Sequence, residues 1–319
     1  MPVYAGLALL LGVTLLLGAC SIGGAANLPA PPTATPTADT TQTPVPSGTP
    51  LPALQAKLIT QTLTNIFPGN TSFFVDVPCP NGYIVASGGV SSTGTNFTAM
   101  VNVPSELPQS PDPTQPPNPS VSWQAQIFNL GSTTISAQVL VLCLRTPSSR
   151  APKLTAHTLK LDIGDDIVAG ATTGVIDMDC PEGTVVAGGG VRTGFLAPFT
   201  LMSGAPRSSA MWETQLANNA NFGIAAEVRL VCLRLPGLQA RMLVQPFGTS
   251  IATRTASAPL DITCPTGYVV AGGGISSTAT TFTTMVNAPI STTKWRGRIY
   301  NPTKKPITAK LAVTCVRAG

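Results

Sequence analysis

CPNGYIVASGGV at residues 79–90 returns as CPEGTVVAGGGV at residues 180–191 and as CPTGYVVAGGGI at residues 264–275. Each copy is followed by Phe-Thr-x-Met-x-x-x-Pro, by a Trp, by an Asn six residues further on, and by a second Cys 20 residues after the Trp. A register held this strictly indicates a repeated structural unit. We therefore expect three copies of one unit. They span residues 53–148, 149–238 and 239–319.

The residue pattern within each copy is typical of β-strands. Trp123, Ala125 and Ile127 alternate with Gln124 and Gln126, and a period of two with one polar face predicts a half-buried antiparallel strand. The strand that ends in each second Cys alternates in the same way, so Lys310, Ala312 and Thr314 of the third copy are predicted to share the polar face. Asn129, Asn218 and Asn301 follow the Trp strands where a hairpin turn is expected, and Asn tolerates the left-handed backbone conformation there. The Gly pair or triplet of each copy indicates a bulge or the close approach of another backbone. With 30 Gly, 31 Pro and 10% charged residues, the composition favours short strands and turns, about six strands per copy.

The N-terminus carries an export signal. An apolar segment from Leu7 to Leu17 ends in Leu17-Gly18-Ala19-Cys20, and its 11 residues are too few to span a bilayer. The Leu-Gly-Ala-Cys sequence resembles the lipobox of bacterial lipoproteins, in which the Cys receives lipid and becomes the first residue. The resemblance implies that residues 1–19 are a signal peptide, that Cys20 binds membrane lipid, and that the protein is exported and anchored to the outer side of a bacterial cell membrane.

A tether follows the lipidated Cys. Residues 20–52 are rich in Pro and Thr and contain no aromatic residue, so they lack the apolar side chains of a core and are expected to stay extended. At about 3.1 Å per residue, such a segment reaches up to about 90 Å from the membrane. The first copy also carries a Pro-rich insertion at residues 106–120, which we expect to form a surface loop.

The remaining six cysteines fall two to a copy. Fifteen pairings are formally open, but identical units must close in the same way, and export favours disulfide formation. The predicted bridges are Cys79–Cys143, Cys180–Cys232 and Cys264–Cys315. The sequence therefore predicts an all-β fold of three tandem small antiparallel β-sandwich repeats, each closed by one disulfide. The alternative is a single three-sheet β-prism.

The order Cys-Pro-x-Gly, Gly-Gly, Trp, Asn and Cys resembles a module of uncharacterised secreted bacterial proteins. The resemblance covers residues 75–317. It implies a repeated secreted β module and carries no activity with it.

Positive charge is concentrated in the third copy, which has nine Lys and Arg residues and one acidic residue. Lys294, Arg296 and Arg298 alternate along one strand, and Lys304, Lys305 and Lys310 follow across the expected hairpin. Such a face attracts anionic polymers or lipid headgroups. An anionic or carbohydrate polymer is therefore the expected partner. Nucleic acid is not expected, because the protein is exterior and this face has one aromatic residue, Tyr300.

Other titratable residues have structural interpretations. An Asp precedes each first Cys by three residues, and an Arg follows each second Cys by two. These residues are Asp76 and Arg145, Asp177 and Arg234, and Asp261 and Arg317. Each Asp could pair with the Arg of its own copy, although strand parity places the two on opposite faces. His157, the one His, is expected on a surface or an edge strand.

Five Asp residues cluster in the second copy, at positions 162, 165, 166, 177 and 179. They lack the ligand spacing of a calcium loop, so a solvated acidic turn is expected, with no metal and no cofactor. General acid–base catalysis needs paired titratable groups, and the repeats supply none apart from the Asp–Arg set. We expect a non-catalytic, surface-tethered protein that binds envelope or extracellular polymers. The alternatives are a structural envelope spacer and an extracellular hydrolase.

Overall fold

The structure is a computed structural model that describes residues 53–105, 122–147, 152–164, 167–194 and 197–319. Cys20, the insertion at residues 106–120 and the segments predicted to be a signal peptide and a tether lie outside the described residues. The described part of the chain contains no helix long and apolar enough to cross a membrane. Residues 49–319 belong to one compact unit.

Each copy forms six strands, and the third adds a two-residue strand. In the first copy they are β1 (Gln55–Ile66), β2 (Val75–Pro78), β3 (Ile84–Ser92), β4 (Phe97–Pro104), β5 (Ser122–Asn129) and β6 (Ile135–Arg145). In the second they are β7 (Thr155–Asp162), β8 (Ile176–Asp179), β9 (Val185–Thr193), β10 (Phe199–Pro206), β11 (Met211–Asn218) and β12 (Ala226–Arg234). In the third they are β13 (Leu238–Pro246), β14 (Thr255–Ala256), β15 (Leu260–Thr263), β16 (Val269–Ser277), β17 (Thr283–Pro289), β18 (Lys294–Asn301) and β19 (Ala309–Ala318).

Within a copy the strands form two antiparallel layers. In the first copy one layer has the order β1-β6-β3 and the other has the order β2-β5-β4. Trp123 is fully buried between them, and Gly88 lies so close to the indole that an added Cβ would sit 2.4 Å from it. Gly189 and Gly273 face Trp212 and Trp295 in the same way. Each of these glycines therefore leaves space for the indole ring of its own sandwich.

The disulfides join the layers as the repeats predict. Their Cα atoms are 5.7 Å apart in all three bridges, which span 64, 52 and 51 residues. Closing loops of this length stabilises a fold by roughly 4 kcal/mol in the chain-entropy model. The all-β prediction and the pairing of the six cysteines are confirmed.

The three sandwiches pair edge to edge in a closed ring. Sheet 1 has the order β1-β6-β3-β17-β18, with β14 and β15 on β18; sheet 2 has the order β7-β12-β9-β4-β5-β2; sheet 3 has the order β13-β19-β16-β10-β11-β8. Each sheet therefore takes one layer from each of two copies. The arrangement is at once three sandwich modules and three sheets, so the two architectures considered from the sequence describe one molecule.

Glycine makes the junctions between copies close. A Cβ on Gly190 would lie 1.7 Å from the carbonyl oxygen of Asn102, and one on Gly274 would lie 1.8 Å from that of Gly204. The register also shifts within each triplet strand, for example between Val85 and Ser87. Both outcomes predicted for the Gly run, a bulge and a close backbone approach, are present.

The last strand of each copy is buried on both faces in its second half, which the sequence did not predict. Alternation in β19 predicted that Ala312 and Thr314 face solvent, yet their exposed fractions are 2% and 0%. The reason is a shared core, formed by residues of all three copies such as Leu142, Val231 and Val316. The outer faces of the first layers meet there, at the end of the strands that carries the disulfides.

The Asn that follows each Trp strand acts by hydrogen bonding. Sequence reasoning assigned it a left-handed turn conformation, but among the described residues only Asn65 and Arg254 combine a positive φ with a side chain. Asn129 is fully buried, donates from Nδ2 to the carbonyls of Ile66 and Thr133, and accepts from the backbone of Gly131. It ties the loop after β1 to the turn after β5, and Asn218 and Asn301 do the same in their copies.

Candidate polymer-binding groove

The outer face of sheet 1 carries a groove of about 630 Å³ between the first and third copies. Its centre is a row of residues that lie directly opposite one another on five neighbouring strands. The row is Thr62, Gln138, Ser91, Val286 and Arg298. Five strands at about 4.8 Å spacing extend over about 19 Å. The groove thus has the dimensions of a short stretch of polymer.

The lining combines five hydroxyl side chains and one amide with six apolar residues, and two cations lie at one end. The polar residues besides the two arginines are Thr62, Ser91, Ser92, Thr93, Ser136 and Gln138. Arg296 and Arg298 line the end on β18. The residues that line the groove include no carboxylate, so its chemistry is that of hydrogen bonding plus positive charge.

The two arginines differ in how many of their guanidinium donors are already hydrogen-bonded within the protein. Arg296 donates from Nε and Nη2 to the two carboxylate oxygens of Asp261, at 2.7 and 2.8 Å. That hydrogen bonding lowers the pKa of Asp261 against the opposing effect of burial, and it raises the pKa of Arg296. Arg298 donates only from Nε, to the carbonyl of Ser257 at 3.3 Å, among the contacts of the described residues. The remaining donors of Arg298 are available to a ligand in the groove.

In sheet 2 the equivalent row is Asp162, Glu227, Arg192, Val101 and Gln126, and a buried arginine lies beside it. Arg229 on β12 lies opposite Gly190 and donates from Nη1 to the carbonyl of Pro104 on β4, 3.1 Å away. The side chain therefore crosses β9 where Gly190 leaves room, and it is only 1% exposed. Glu227 accepts from Arg229 and pairs with Lys160 at 2.8 Å. Burial alone would raise the pKa of Glu227, but these hydrogen bonds bring it below its usual value.

The residues that match Arg229 in the other copies explain why the groove of sheet 1 is not filled by a side chain. Counting back from the second Cys of each copy, Leu140 and Ala312 occupy the place of Arg229. Neither reaches across the sheet. In sheet 3 the equivalent row is Pro246, Lys310, Ser276, Ser203 and Gln215. There Glu213 accepts a hydrogen bond from Ser203 and lies 3.4 Å from Ser276, so the row carries a carboxylate that sheet 1 lacks.

The predicted anion-binding residues fall in three places. Lys294, Arg296 and Arg298 lie along β18, as the alternation indicates. Lys304 and Lys305 lie in the turn after β18, where a second depression of about 550 Å³ is lined largely by Thr residues. Lys310 lies on β19 in sheet 3, because β18 and β19 are opposite layers of the sandwich and do not pair as a hairpin. It therefore does not extend the β18 face.

The pairing of each Asp with the Arg of its own copy does not form. Asp261 pairs with Arg296, and Asp177 pairs with Arg207 at 2.7 Å. Arg145 and Arg317 instead stack on tyrosine rings, at 4.6 Å from Tyr83 and 4.9 Å from Tyr268. The parity argument against the pairing was sound, since Asp261 points to the β18 neighbour opposite it. The ion-pair partner of each Asp is therefore determined by strand pairing and not by the disulfide.

His157 and the acidic residues take unremarkable positions. His157 lies on β7, an edge strand of sheet 2, opposite Cys232. Asp162 is within 3.6 Å of Lys160, whereas Asp165 and Asp166 lie outside the described residues. No group of three or more potential metal ligands occurs within the described ranges.

A smaller cavity of about 60 Å³ lies where the three copies meet. It is lined by the Phe of each Phe-Thr-x-Met motif, together with Asn102 and Asn287. These Asn side chains accept hydrogen bonds from the indoles of Trp123 and Trp295, at 2.8 and 2.9 Å. Sequence reasoning missed both this cavity and the groove, because each is built from residues of more than one copy.

The sequence matches no known protein-family model, and no curated protein is significantly similar to it.

Proposed function

We propose that the protein is a non-catalytic, lipid-anchored surface protein of a bacterial cell that binds an anionic envelope or extracellular polymer in the groove of sheet 1. The observation that carries the proposal is the row in which the polar side chains of Thr62, Gln138 and Ser91 lead through Val286 to Arg298, with Arg296 beside it in the lining. Hydroxyls and amides pair with sugar or polyol oxygens, and guanidinium groups pair with phosphate, sulfate or carboxylate groups. Three disulfides fit an exported chain.

A test is binding of residues 49–319, the compact unit, to dextran sulfate and to uncharged dextran. We expect the sulfated polymer to bind and its affinity to fall as salt shortens the Debye length to about 8 Å. Arg298→Gln should weaken binding about threefold to tenfold, because a charge-assisted contact is lost. Gln is tolerated at this position, since Gln126 and Gln215 occupy it in the other copies.

The matched control is Lys310→Gln. It removes the same charge but lies on sheet 3, and Gln138 is its counterpart in the first copy. We expect its affinity to stay within about twofold of the parent, because exposed charges far from the groove are screened. Equal losses in the two variants would mean that net charge alone attracts the polymer. Equal binding of both dextrans would remove the anionic preference.

The lipid anchor is tested separately in the full chain. Cys20→Ala removes the residue that the lipobox resemblance marks for lipidation, so the variant should leave the detergent phase after phase separation. The parent protein should partition into that phase. Retention of the variant in the detergent phase would contradict the anchor without touching the groove.

A further inference from the structure

Exposed apolar side chains concentrate at the end of the strands opposite the disulfides. The strands β1, β3 and β18 run parallel in sheet 1, so the loop after β1 and the turn after β18 leave the same edge of that sheet. Asn129 bonds the loop after β1 to the turn after β5, which brings the edge of sheet 2 to the same end. We call this end, formed by residues 67–74, 130–134, 167–175, 219–225, 252–259 and 302–306, the loop end.

Six of the eight large apolar residues that are exposed in the described part of the chain lie at the loop end. They are Phe67, Phe73, Phe74, Val168, Val175 and Phe222. The exposed fractions of Phe67, Phe73 and Phe74 are 57%, 91% and 47%. At about 200 Å² per ring, these three alone present roughly 400 Å² of apolar surface, the size at which an exposed patch on a monomer tends to be functional.

The backbone holds the first-copy loop in a defined conformation. The amide of Asn70 donates to the carbonyl of Phe67, and Gly69 has a φ of 71°, so residues 67–70 form a tight turn. Ser72 exchanges hydrogen bonds with Ile127 through its backbone amide and its hydroxyl. The phenylalanines are therefore held outward by a bonded scaffold and do not depend on collapse into the core.

The aromatic character of residues 67–74 is specific to the first copy. Counting from the Ile residues that bond to the buried Asn side chains, Phe67 corresponds to Val168 and Ala252. By the same count Phe73 corresponds to Gly174 and Ala258, and Phe74 to Val175 and Pro259. The shared scaffold does not require a ring at any of these positions, because small residues serve in the other copies.

Positive charge lies at the same end on the neighbouring copy. Arg254, Lys304 and Lys305 are exposed in the loops of the third copy. No acidic residue lies in the segments that define the loop end, although Asp162, the last residue of β7, lies next to this end in the second copy. Protruding rings beside cations suit an interface with an apolar layer under an anionic layer.

We infer that the loop end binds an anionic lipid surface, with Phe67, Phe73 and Phe74 entering the headgroup region and Lys304 and Lys305 contacting acidic headgroups. This site shares only Pro259 with the lining of the groove, whose proposed ligand is a soluble polymer. It is also separate from the anchor at Cys20, because residue 53, where the described chain begins, lies at the disulfide end beside Gln55 and Arg145. The protein therefore has a lipid-facing end that needs no acyl chain.

The test is sedimentation of residues 49–319 with vesicles of phosphatidylcholine alone, or with phosphatidylglycerol at about one part in three. The fragment lacks Cys20, so the outcome does not depend on lipidation. We expect binding to the anionic vesicles and little to the neutral ones. The variant Phe67→Ala, Phe73→Ala, Phe74→Val takes its residues from the same positions of the other copies, and it should lower the partition coefficient by at least about tenfold.

One variant tests the charged contribution to vesicle binding, and two control variants change charge or apolar surface away from the loop end. Lys304→Asn with Lys305→Thr, which copies the residues Asn221 and Thr133, should lower binding to anionic vesicles alone. Lys294→Gln with Arg241→Gln removes two charges at the disulfide end and should leave binding within about twofold of the parent. Val244→Ala removes an exposed apolar residue from the edge strand β13 and should have no effect.

Ring insertion is read directly with Phe73→Trp and brominated lipid. The three native tryptophans are at most 1% exposed, so they form a nearly unquenched background, whereas a Trp at position 73 should be quenched on binding. Absence of binding to anionic vesicles at low salt, unchanged binding by the aromatic variant, or an unquenched Trp at position 73 would each overturn the inference. If residues 49–319 bind anionic vesicles but do not bind dextran sulfate, the result contradicts the proposed function of the groove and leaves the lipid-binding inference intact.

Discussion

Trp212 lacks the hydrogen bond that its two counterparts make. Its indole nitrogen is buried and has no partner among the described residues, whereas Trp123 and Trp295 donate to Asn102 and Asn287. The matching residue in the second copy is Gly204. A buried donor without an acceptor costs about 1–3 kcal/mol. The second sandwich is therefore less well satisfied than the other two.

We expect Leu201→Ala with Gly204→Asn to restore the missing acceptor. Gly204→Asn alone should gain little, because its Cβ would meet the Leu201 side chain at 2.6 Å. Ala stands beside the Asn in the first copy, as Ala99. Relative to Leu201→Ala alone, the double variant should be more stable to urea by about 1 kcal/mol. No difference between these two proteins would show that the indole has another partner. Asn102→Ala should cause a loss of similar size in the first copy.

The Asp261–Arg296 pair sets a pH dependence of polymer binding. The pKa of Asp261 is lowered in the folded protein, so any stability from the pair is present above the unfolded pKa of about 3.9 and is lost as pH falls through the folded value. Both side chains are about one-third exposed or more, at 33% and 39%, so the pair contributes at most about 1 kcal/mol. Its larger effect is to occupy the guanidinium of Arg296.

Asp261→Asn should therefore strengthen binding to dextran sulfate several-fold at neutral pH, with a stability change below about 1 kcal/mol. Acidification from about pH 5 to about pH 3 should strengthen dextran sulfate binding by the parent more than by the variant. Only the parent has a carboxylate at position 261 that protonation can neutralise. Sulfate groups stay ionised over this range. The measurement is a pair of affinity titrations at fixed salt. Weaker binding by Asp261→Asn would mean that the pair orients Arg296 for the ligand.

Among single residues, the sequence predicted those whose roles recur in every copy. The cysteines and the alternation of Trp123, Ala125 and Ile127 follow from three matched copies and a period of two, and the structure confirms them. The Asn residues were located correctly but given the wrong physical role, because a side-chain amide that bonds three backbone groups leaves no pattern in a single sequence. The Trp212 defect is visible only when the copies are aligned in space.

At the scale of strands, the glycine triplets decide how the copies join. Gly190 on β9 meets β4 of the preceding copy, and a Cβ there would lie 1.7 Å from the carbonyl of Asn102. Backbone atoms cannot yield as a flexible side chain can. The junction between the first and second copies therefore depends on the absence of one methyl group.

We expect Gly190→Ala to destabilise the protein by more than about 3 kcal/mol in urea denaturation, a cost that only severe core defects reach. Gly194→Ala, one residue past the end of β9, is the matched control. No heavy atom lies within 4 Å of a Cβ at Gly194 and its φ is not positive, so the change should stay within about 0.5 kcal/mol. Similar stability of the two variants would show that the junction tolerates a shift of β4.

Strand adjacency was the main limit of the sequence prediction at this scale. The alternation of Lys294, Arg296 and Arg298 correctly placed them along one strand, but the hairpin expected for Lys310 does not exist, because β18 and β19 lie in different sheets. Period two identifies a strand and its faces and says nothing about which neighbour it pairs with. The groove arises from such a pairing, between β3 and β17, whose paired residues Ser91 and Val286 are 195 positions apart in the sequence (286 − 91).

At the scale of the whole molecule, the ring closure makes the copies dependent on one another. One core cluster lies within the first copy and another within the second copy. The third and largest cluster contains residues of all three copies, such as Leu142 of the first, Val231 of the second and Val313 of the third. Removing one copy therefore exposes apolar residues of the other two. It also leaves two strands that normally lie inside sheets with unpaired edges, a known route to aggregation.

We expect residues 49–319 to unfold in one cooperative transition, with equal calorimetric and van't Hoff enthalpies. A chain truncated after residue 238 should fail to form a stable monomer, because β3 loses β17, β10 loses β16, and the shared core loses its third-copy residues. It should self-associate in sedimentation experiments, since each open edge can pair with another chain. The isolated third copy, residues 239–319, should behave in the same way. Its basic strand is therefore best tested within the intact ring. Three separate calorimetric transitions would show that each disulfide-closed sandwich folds independently. A two-copy chain that stays monomeric and folded would show the same, and the edge pairing would then only join sandwiches that are already folded.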